Sequence, residues 1–203
     1  MEQTTGLRER KKQRTREAIS RAALELFARG GYQETTLAEI AEAAEVSTRT
    51  IFAYFPSKED ILFSDFAAMR DALAQALSER PPGQDALTTL REFIRSQSHK
   101  KGALQKKLAQ IIESDETLAS HQRARLAQLQ ELLAAAIADD LGAGPGDLRP
   151  QVAAASLTAA FEVLERQGRE LSLPQSAEEI ADAIDPIISF VRAGLQSLSA
   201  PTS

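Results

Sequence analysis

The chain has 203 residues, 43% of them hydrophobic and 26% charged, a composition that excludes a disordered or fibrous protein. It holds no cysteine and only two histidines, His99 and His121, which excludes a disulfide framework, thiolate chemistry and a His-based metal cluster, so neither metal nor cofactor is expected. The net charge of −5 is unevenly spread: residues 1–16 carry six basic side chains against Glu2 and Glu9, whereas residues 59–203 carry 14 basic and 21 acidic ones.

A basic head on an acidic body predicts a polyanion partner at one end, the alternative being a merely solvated arm. There is no apolar run of 18 residues, and the polar stretch Met1–Arg16 lacks the apolar centre of a signal peptide. A cytoplasmic chain with no membrane partner is expected.

Strand signals are nearly absent and the apolar residues repeat with helical spacing. Ile19, Ala22, Ala23, Leu26 and Phe27 mark a first helix over Thr15–Arg29 that Gly30 and Gly31 end, with Met1–Gly6 frayed. Thr36 with Glu39 three residues on reads as a capping box, opening a second helix whose inner face is Leu37, Ile40, Ala41 and Ala44. After a break at Glu45 and Val46, Ser47 caps a third helix running to Tyr54. Pro56 to Asp60 then starts a long fourth helix with Leu62, Phe66, Met69, Leu73 and Leu77 as its apolar stripe. Beyond the stop at Pro81, Pro82 and Gly83, helices are expected around 85–99, 102–113, 116–141, 148–169 and 176–198, the last kinked near Ala183 by Pro186. The reading is all-α, about nine helices in two units: 1–58, a three-helix domain with a basic N-terminal arm, and 59–203, a helical bundle.

Residues Leu37–Phe55 have the plan of a helix-turn-helix, whose second helix lies in the major groove of DNA. Val46, Ile51 and Phe55 are the expected core positions. Ser47, Thr48, Arg49, Thr50, Phe52 and Tyr54 are left for DNA: threonine for phosphate or a thymine methyl, arginine for guanine through two parallel hydrogen bonds. Thr36 and Lys58 are placed for phosphates on either side. Arg10, Lys11, Lys12 and Arg14 of the arm are expected on DNA, which would make affinity fall steeply with salt.

Gly30-Gly31-Tyr32, Thr35-Thr36, Ile40-Ala41, Val46-Ser47, Thr50-Ile51-Phe52 and the run Tyr54 to Asp60 together closely resemble the amino-terminal domain of the TetR family, over about 50 residues. The resemblance implies an all-helical homodimer, in which three helices bind a double-stranded DNA operator and the rest bind a small-molecule effector and dimerise. Glu45 departs from the glycine that many relatives carry in the turn; a left-handed backbone there would cost about 1 kcal/mol. The body, with its Gly-rich break before Asp147 and the run Ile112 to Glu116, is similar to the subgroup with an acyl-CoA-like ligand-binding C-terminal domain, which implies a fatty acyl-CoA or other hydrophobic effector.

Phe66, Met69, Phe93, Leu108, Ile112, Leu126, Leu129 and Phe161 are candidates for an interhelical pocket, each with plain core as its alternative. Leu157, Phe161, Leu164, Ile184, Ile188 and Val191 are candidates for a twofold interface, with internal packing as the alternative. The second basic cluster, His99 to Lys101 with Lys106 and Lys107, is expected to be a solvated turn, with phosphates of a nucleotide-bearing effector or of DNA as the alternative. Without a glycine-rich phosphate loop, ligand histidines or a positioned nucleophile, an enzyme is not expected. The expected function is a ligand-responsive repressor; an activator of the same fold, or a helical adaptor without DNA binding, are the alternatives.

Overall fold

The structure is a computed structural model and describes residues 2–96, 103–170 and 177–199. Among these are ten α-helices and no strand: α1 (Glu2–Gly30), α2 (Leu37–Ala43), α3 (Thr48–Tyr54), α4 (Lys58–Leu62), α5 (Ser64–Ser78), α6 (Ala86–Ser96), α7 (Ala103–Ser114), α8 (Glu116–Leu141), α9 (Arg149–Glu170) and α10 (Ala177–Ser199). None is long and apolar enough to cross a membrane.

Two features differ from the expected nine. The arm is not frayed: α1 is helical from Glu2, and within it Gln13 donates to Glu17 at 2.8 Å and Arg10 Nε donates to the Gly6 carbonyl at 3.1 Å. Arg, Lys, Gln and Glu are good helix formers, so the charged run propagates the helix that the apolar stripe of Ile19, Ala23 and Phe27 anchors. The expected long fourth helix is instead two, parted at Phe63, which leaves helical geometry at φ −97°, ψ 15°. Neither proline nor glycine marks that break in the sequence. Phe63 is buried there, and Ser64 beside it hydrogen-bonds through its hydroxyl to Ser20 of α1.

The chain forms two compact units. The first takes in the chain to Ala68 together with α7 and the start of α8 to Ala119; the second holds Met69 onward through α6, and the chain from Ser120. The expected boundary at residue 58 therefore lies within the first unit. The reason is burial: Ile61 and Leu62 of α4, Leu108 and Ile112 of α7, and Leu118 of α8 join Ile19, Phe27, Ile40, Ile51 and Phe55 in one apolar core. Gln33 also donates to Asp115 at 2.7 Å, and Asp115 accepts the amides of Thr117 and Leu118 at the start of α8.

In the second unit α10 packs against α6 and α9. Arg91 of α6 grips Asp185 of α10 with two bonds of 2.7 and 2.6 Å, and Arg95 adds a third at 2.8 Å. Leu157, Ile184, Ile188 and Val191, all expected at a twofold interface, are at most 5% exposed and packed within the chain itself. That is the internal-packing alternative: these residues form the most apolar stripes of α9 and α10, and the chain's own helices cover those stripes first. Leu164 is half-buried. α10 runs without interruption through Pro186.

Candidate nucleic-acid interface

The helix-turn-helix is built from local signals. Thr36 caps α2 in a complete capping box: its hydroxyl accepts the Glu39 amide at 3.2 Å, while its own amide reaches the Glu39 carboxylate at 2.8 Å. The bonds from the Thr36 amide and hydroxyl hold that carboxyl below its usual range. α2 ends at Ala44, and Glu45 turns the chain with φ 54°, the one non-glycine left-handed residue among those described. Ser47 caps α3, accepting the Thr50 amide at 3.1 Å and sharing a 2.8 Å hydroxyl contact with Thr50.

On α3 the inward positions are Ile51 and, just beyond its end, Phe55, each 1% exposed. Burying each is worth about 1.5–3 kcal/mol, enough to fix the rotation of so short a helix. What then faces outward is settled: Thr48, Arg49 and Ala53 are exposed, and Phe52 is 57% exposed. Thr50 and Tyr54 are half-buried.

Arg16 ties α1 to the far end of α3. Its guanidinium donates to the Tyr54 carbonyl at 3.1 Å and lies 4.4 Å over the Phe55 ring. A cation at a helix C-terminus meets the negative end of its dipole. No sequence signal gives Arg16 this role, because its partners lie 38 and 39 residues away. A groove of about 680 Å³ opens between the two elements, lined by Glu9, Arg10, Lys12, Gln13, Arg16, Ala53 and Tyr54. Lys11, Lys12 and Arg14 are exposed. The arm and the recognition helix thus share one face of the first unit.

Two of the residues expected on phosphates are engaged internally. Lys58 sends its ammonium to the carbonyls of Tyr32 (2.7 Å) and Thr35 (3.1 Å), and it lies 4.3 Å over the Tyr32 ring. It closes the turn after α1. Thr36 uses its hydroxyl as both donor and acceptor within the capping box. Burial, and then the neighbouring Glu59, push the Tyr32 phenol well above its ordinary pKa, so it stays neutral under this lysine.

The expected pocket residues are divided between the units. Leu108 and Ile112 lie in the core of the first. In the second, Leu129 is buried, and Met69, Phe93, Leu126 and Phe161 are half-buried. A cavity of about 430 Å³ in this unit is lined instead by Asp85, Leu87, Ile137, Asp140, Leu141, Arg192, Leu195 and Gln196. Of the second basic cluster, His99, Lys100 and Lys101 lie outside the described residues.

Residues 19–64 match the family model described as "Bacterial regulatory proteins, tetR family", and residues 80–196 match the one described as "MftR C-terminal domain". The chain is 34% identical to the transcriptional regulator TcmR of Streptomyces glaucescens, across 80% of this chain and 76% of that one. The chain belongs to the TetR family. Like other TetR-family proteins it is a transcriptional regulator with an N-terminal helix-turn-helix and a C-terminal helical domain. A second TetR-family relative, MftR of Mycobacterium tuberculosis, is 27% identical over 94% of this chain and 96% of its own. The crystal structure of the Thermus thermophilus TetR-family repressor FadR, in complex with lauroyl-CoA, is 26% identical with a TM-score of 0.51, covering 93% of this chain and 98% of that one.

Proposed function

We propose that this TetR-family regulator is a cytoplasmic homodimeric repressor of a palindromic operator, released by a small hydrophobic or acyl-type effector, and that it catalyses no reaction. The observation that carries the reading is the outward face of α3, where Thr48, Arg49 and Phe52 stand free while Ile51 and Phe55 hold the helix from behind. Arg49 reads a base edge. Arg10, Lys11, Lys12 and Arg14 neutralise phosphates beside it, Tyr54 borders that phosphate groove, and Ser47 and Thr50 present the helix.

Dimerisation is supported by apolar side chains that the chain leaves uncovered. Val152 and Val163 lie three turns apart on α9, and Phe190 and Leu198 two turns apart on α10, with exposures of 61, 39, 76 and 68%. A twofold axis relating two copies presents two recognition helices to a palindrome whose half-sites lie one turn of DNA, about 34–36 Å, apart. The effector class is supported by FadR, a relative bound to lauroyl-CoA, and by the half-buried Met69, Phe93, Leu126 and Phe161 of the second unit. Coupling of about 1–3 kcal/mol between effector and operator acts equally in both directions.

The test is binding to the DNA upstream of the protein's own gene, followed by fluorescence anisotropy across a salt series. Arg49→Ala is expected to cost about 1–3 kcal/mol and to relax sequence preference, while Ala at Arg10, Lys11 and Lys12 lowers the salt slope by roughly one unit per contact. Absence of any shift at low salt would refute the reading.

A further inference from the structure

The outward face of α3 offers little that can hydrogen-bond to a base. Thr48 and Phe52 form one i, i+4 stripe and Arg49 and Ala53 the next, and all four side chains are exposed. Arg49 alone carries a fork of donors. Phe52, 57% exposed, has no hydroxyl, amide or charge. A phenyl ring pressed on a guanine, a cytosine or the exocyclic amine of adenine strips water from polar atoms and returns no hydrogen bond, which is unfavourable. The thymine 5-methyl is the apolar group on a major-groove base edge. The ring's surroundings point it to DNA over a protein surface: Arg49 stands on the same face, and the cationic groove of Arg10, Lys12 and Arg16 opens beside Ala53 at the end of the same helix.

We infer that Phe52 is a specificity-determining residue that reads the 5-methyl group of one thymine in each half of the operator. The inference rests on the DNA-binding reading above and adds what this one side chain recognises. The preference is for the methyl group itself and not for the A·T pair as such. It therefore separates thymine from uracil, two bases identical in their hydrogen-bonding edges.

The experiment uses the full chain and a duplex that it selects from a random pool. Each thymine of the bound sequence is replaced in turn by deoxyuridine. For the unaltered protein, one position per half-site is expected to weaken binding about fourfold, the worth of one buried methyl. Phe52→Ala removes that sensitivity, and Phe52→Leu keeps part of it. Replacing the same base pair by C·G is expected to weaken binding further, and 5-methylcytosine in place of cytosine to recover about fourfold of it. Thr48→Ser, which deletes the other methyl on that stripe, leaves the thymine effect in place. Because Phe52 is exposed, Phe52→Ala is expected to fold normally, with unchanged helical circular dichroism. Insensitivity to every deoxyuridine, or equal sensitivity in Phe52→Ala, overturns the inference while leaving DNA binding standing. Loss of the effect in Thr48→Ser with its retention in Phe52→Ala also overturns it. If the pool yields no bound duplex, the regulator reading falls and the inference with it.

Discussion

Glu45 occupies a backbone conformation that a side chain disfavours. Its φ of 54° is held because its amide still bonds to the Glu42 carbonyl at 3.1 Å and that of Val46 to Ala41 at 2.9 Å, closing the turn between α2 and α3. A left-handed L-residue costs about 1–2 kcal/mol, and glycine returns about 0.5–1 of that through the freedom it adds to the unfolded chain. Glu45→Gly is therefore expected to stabilise the protein by about 0.5–1 kcal/mol, read as a higher urea midpoint at unchanged slope. Glu45→Ala keeps the strain and is expected to give no such gain. A loss of stability in Glu45→Gly would mean that the carboxylate holds the turn. Lys58 shows the opposite economy at the same scale: a charge expected to face DNA instead closes the turn after α1, because three carbonyls converge within its reach.

At the scale of the element, two ion pairs meet at the start of α6. Asp85 caps it, accepting the Thr88 amide at 2.7 Å, and pairs with Arg192 of α10. Asp140, at the end of α8, accepts the Ala86 amide at 2.6 Å and pairs with Arg80 at 2.8 Å. The hydrogen bond from Arg192, more than offsetting desolvation, holds the Asp85 carboxyl down at about 2. Its folded pKa is thus below its unfolded one, so the group contributes stability above the ordinary carboxylate range and loses it as pH falls toward 2. With about a third of both side chains exposed, solvent screening reduces this contribution to about 1 kcal/mol. Asp85→Asn is expected to be less stable than the unaltered chain at pH 6 by about that amount. The gap should narrow as pH is lowered to 2.5, a convergence that urea midpoints at both values would check. A gap constant with pH would assign Asp85 a capping role alone.

The elements also show what a sequence can and cannot disclose. The caps at Thr36 and Ser47 and the stop at Gly31 were legible because each signal and its partner lie within about four residues. The same holds for α8, whose ends fall where the turn residues predict. The break at Phe63 was not legible, since no proline or glycine marks it and a residue packed beside it, Ser20 against Ser64, lies 44 positions away. Nor was the role of Arg16, or the inclusion of α7 in the first unit's core. On the site itself, the exposed triplet Thr48, Arg49 and Phe52 followed from placing Ile51 and Phe55 inside. Thr36 and Lys58 looked free only because their internal acceptors are invisible in a linear pattern of charges and hydroxyls.

For the whole molecule, the decisive distinction is between apolar residues that the chain covers and those that it leaves open. α10 carries both kinds. Ile184, Ile188 and Val191 form the buried stripe, while Phe190, Gly194 and Leu198, spaced i, i+4 and i+8, form an exposed one. On α9, Leu157 is covered, whereas Val152 and Val163 are open. An exposed phenylalanine in line with a leucine two turns on suits a partner better than water. In a twofold dimer each such side chain is buried twice, at about 1.5–3 kcal/mol each time. Phe190→Glu would place two carboxylates in the closed interface. If the proposed dimer closes on this face, the variant is expected to give a monomer by sedimentation at concentrations where the unaltered chain is expected to associate. The helical circular dichroism is expected to be unchanged, and operator affinity to fall because each half-site is then bound singly. Ile188→Glu, by contrast, puts a charge in the interior and is expected to unfold the second unit before any question of association arises. A Phe190→Glu protein that still sediments as a dimer would move the interface to another face.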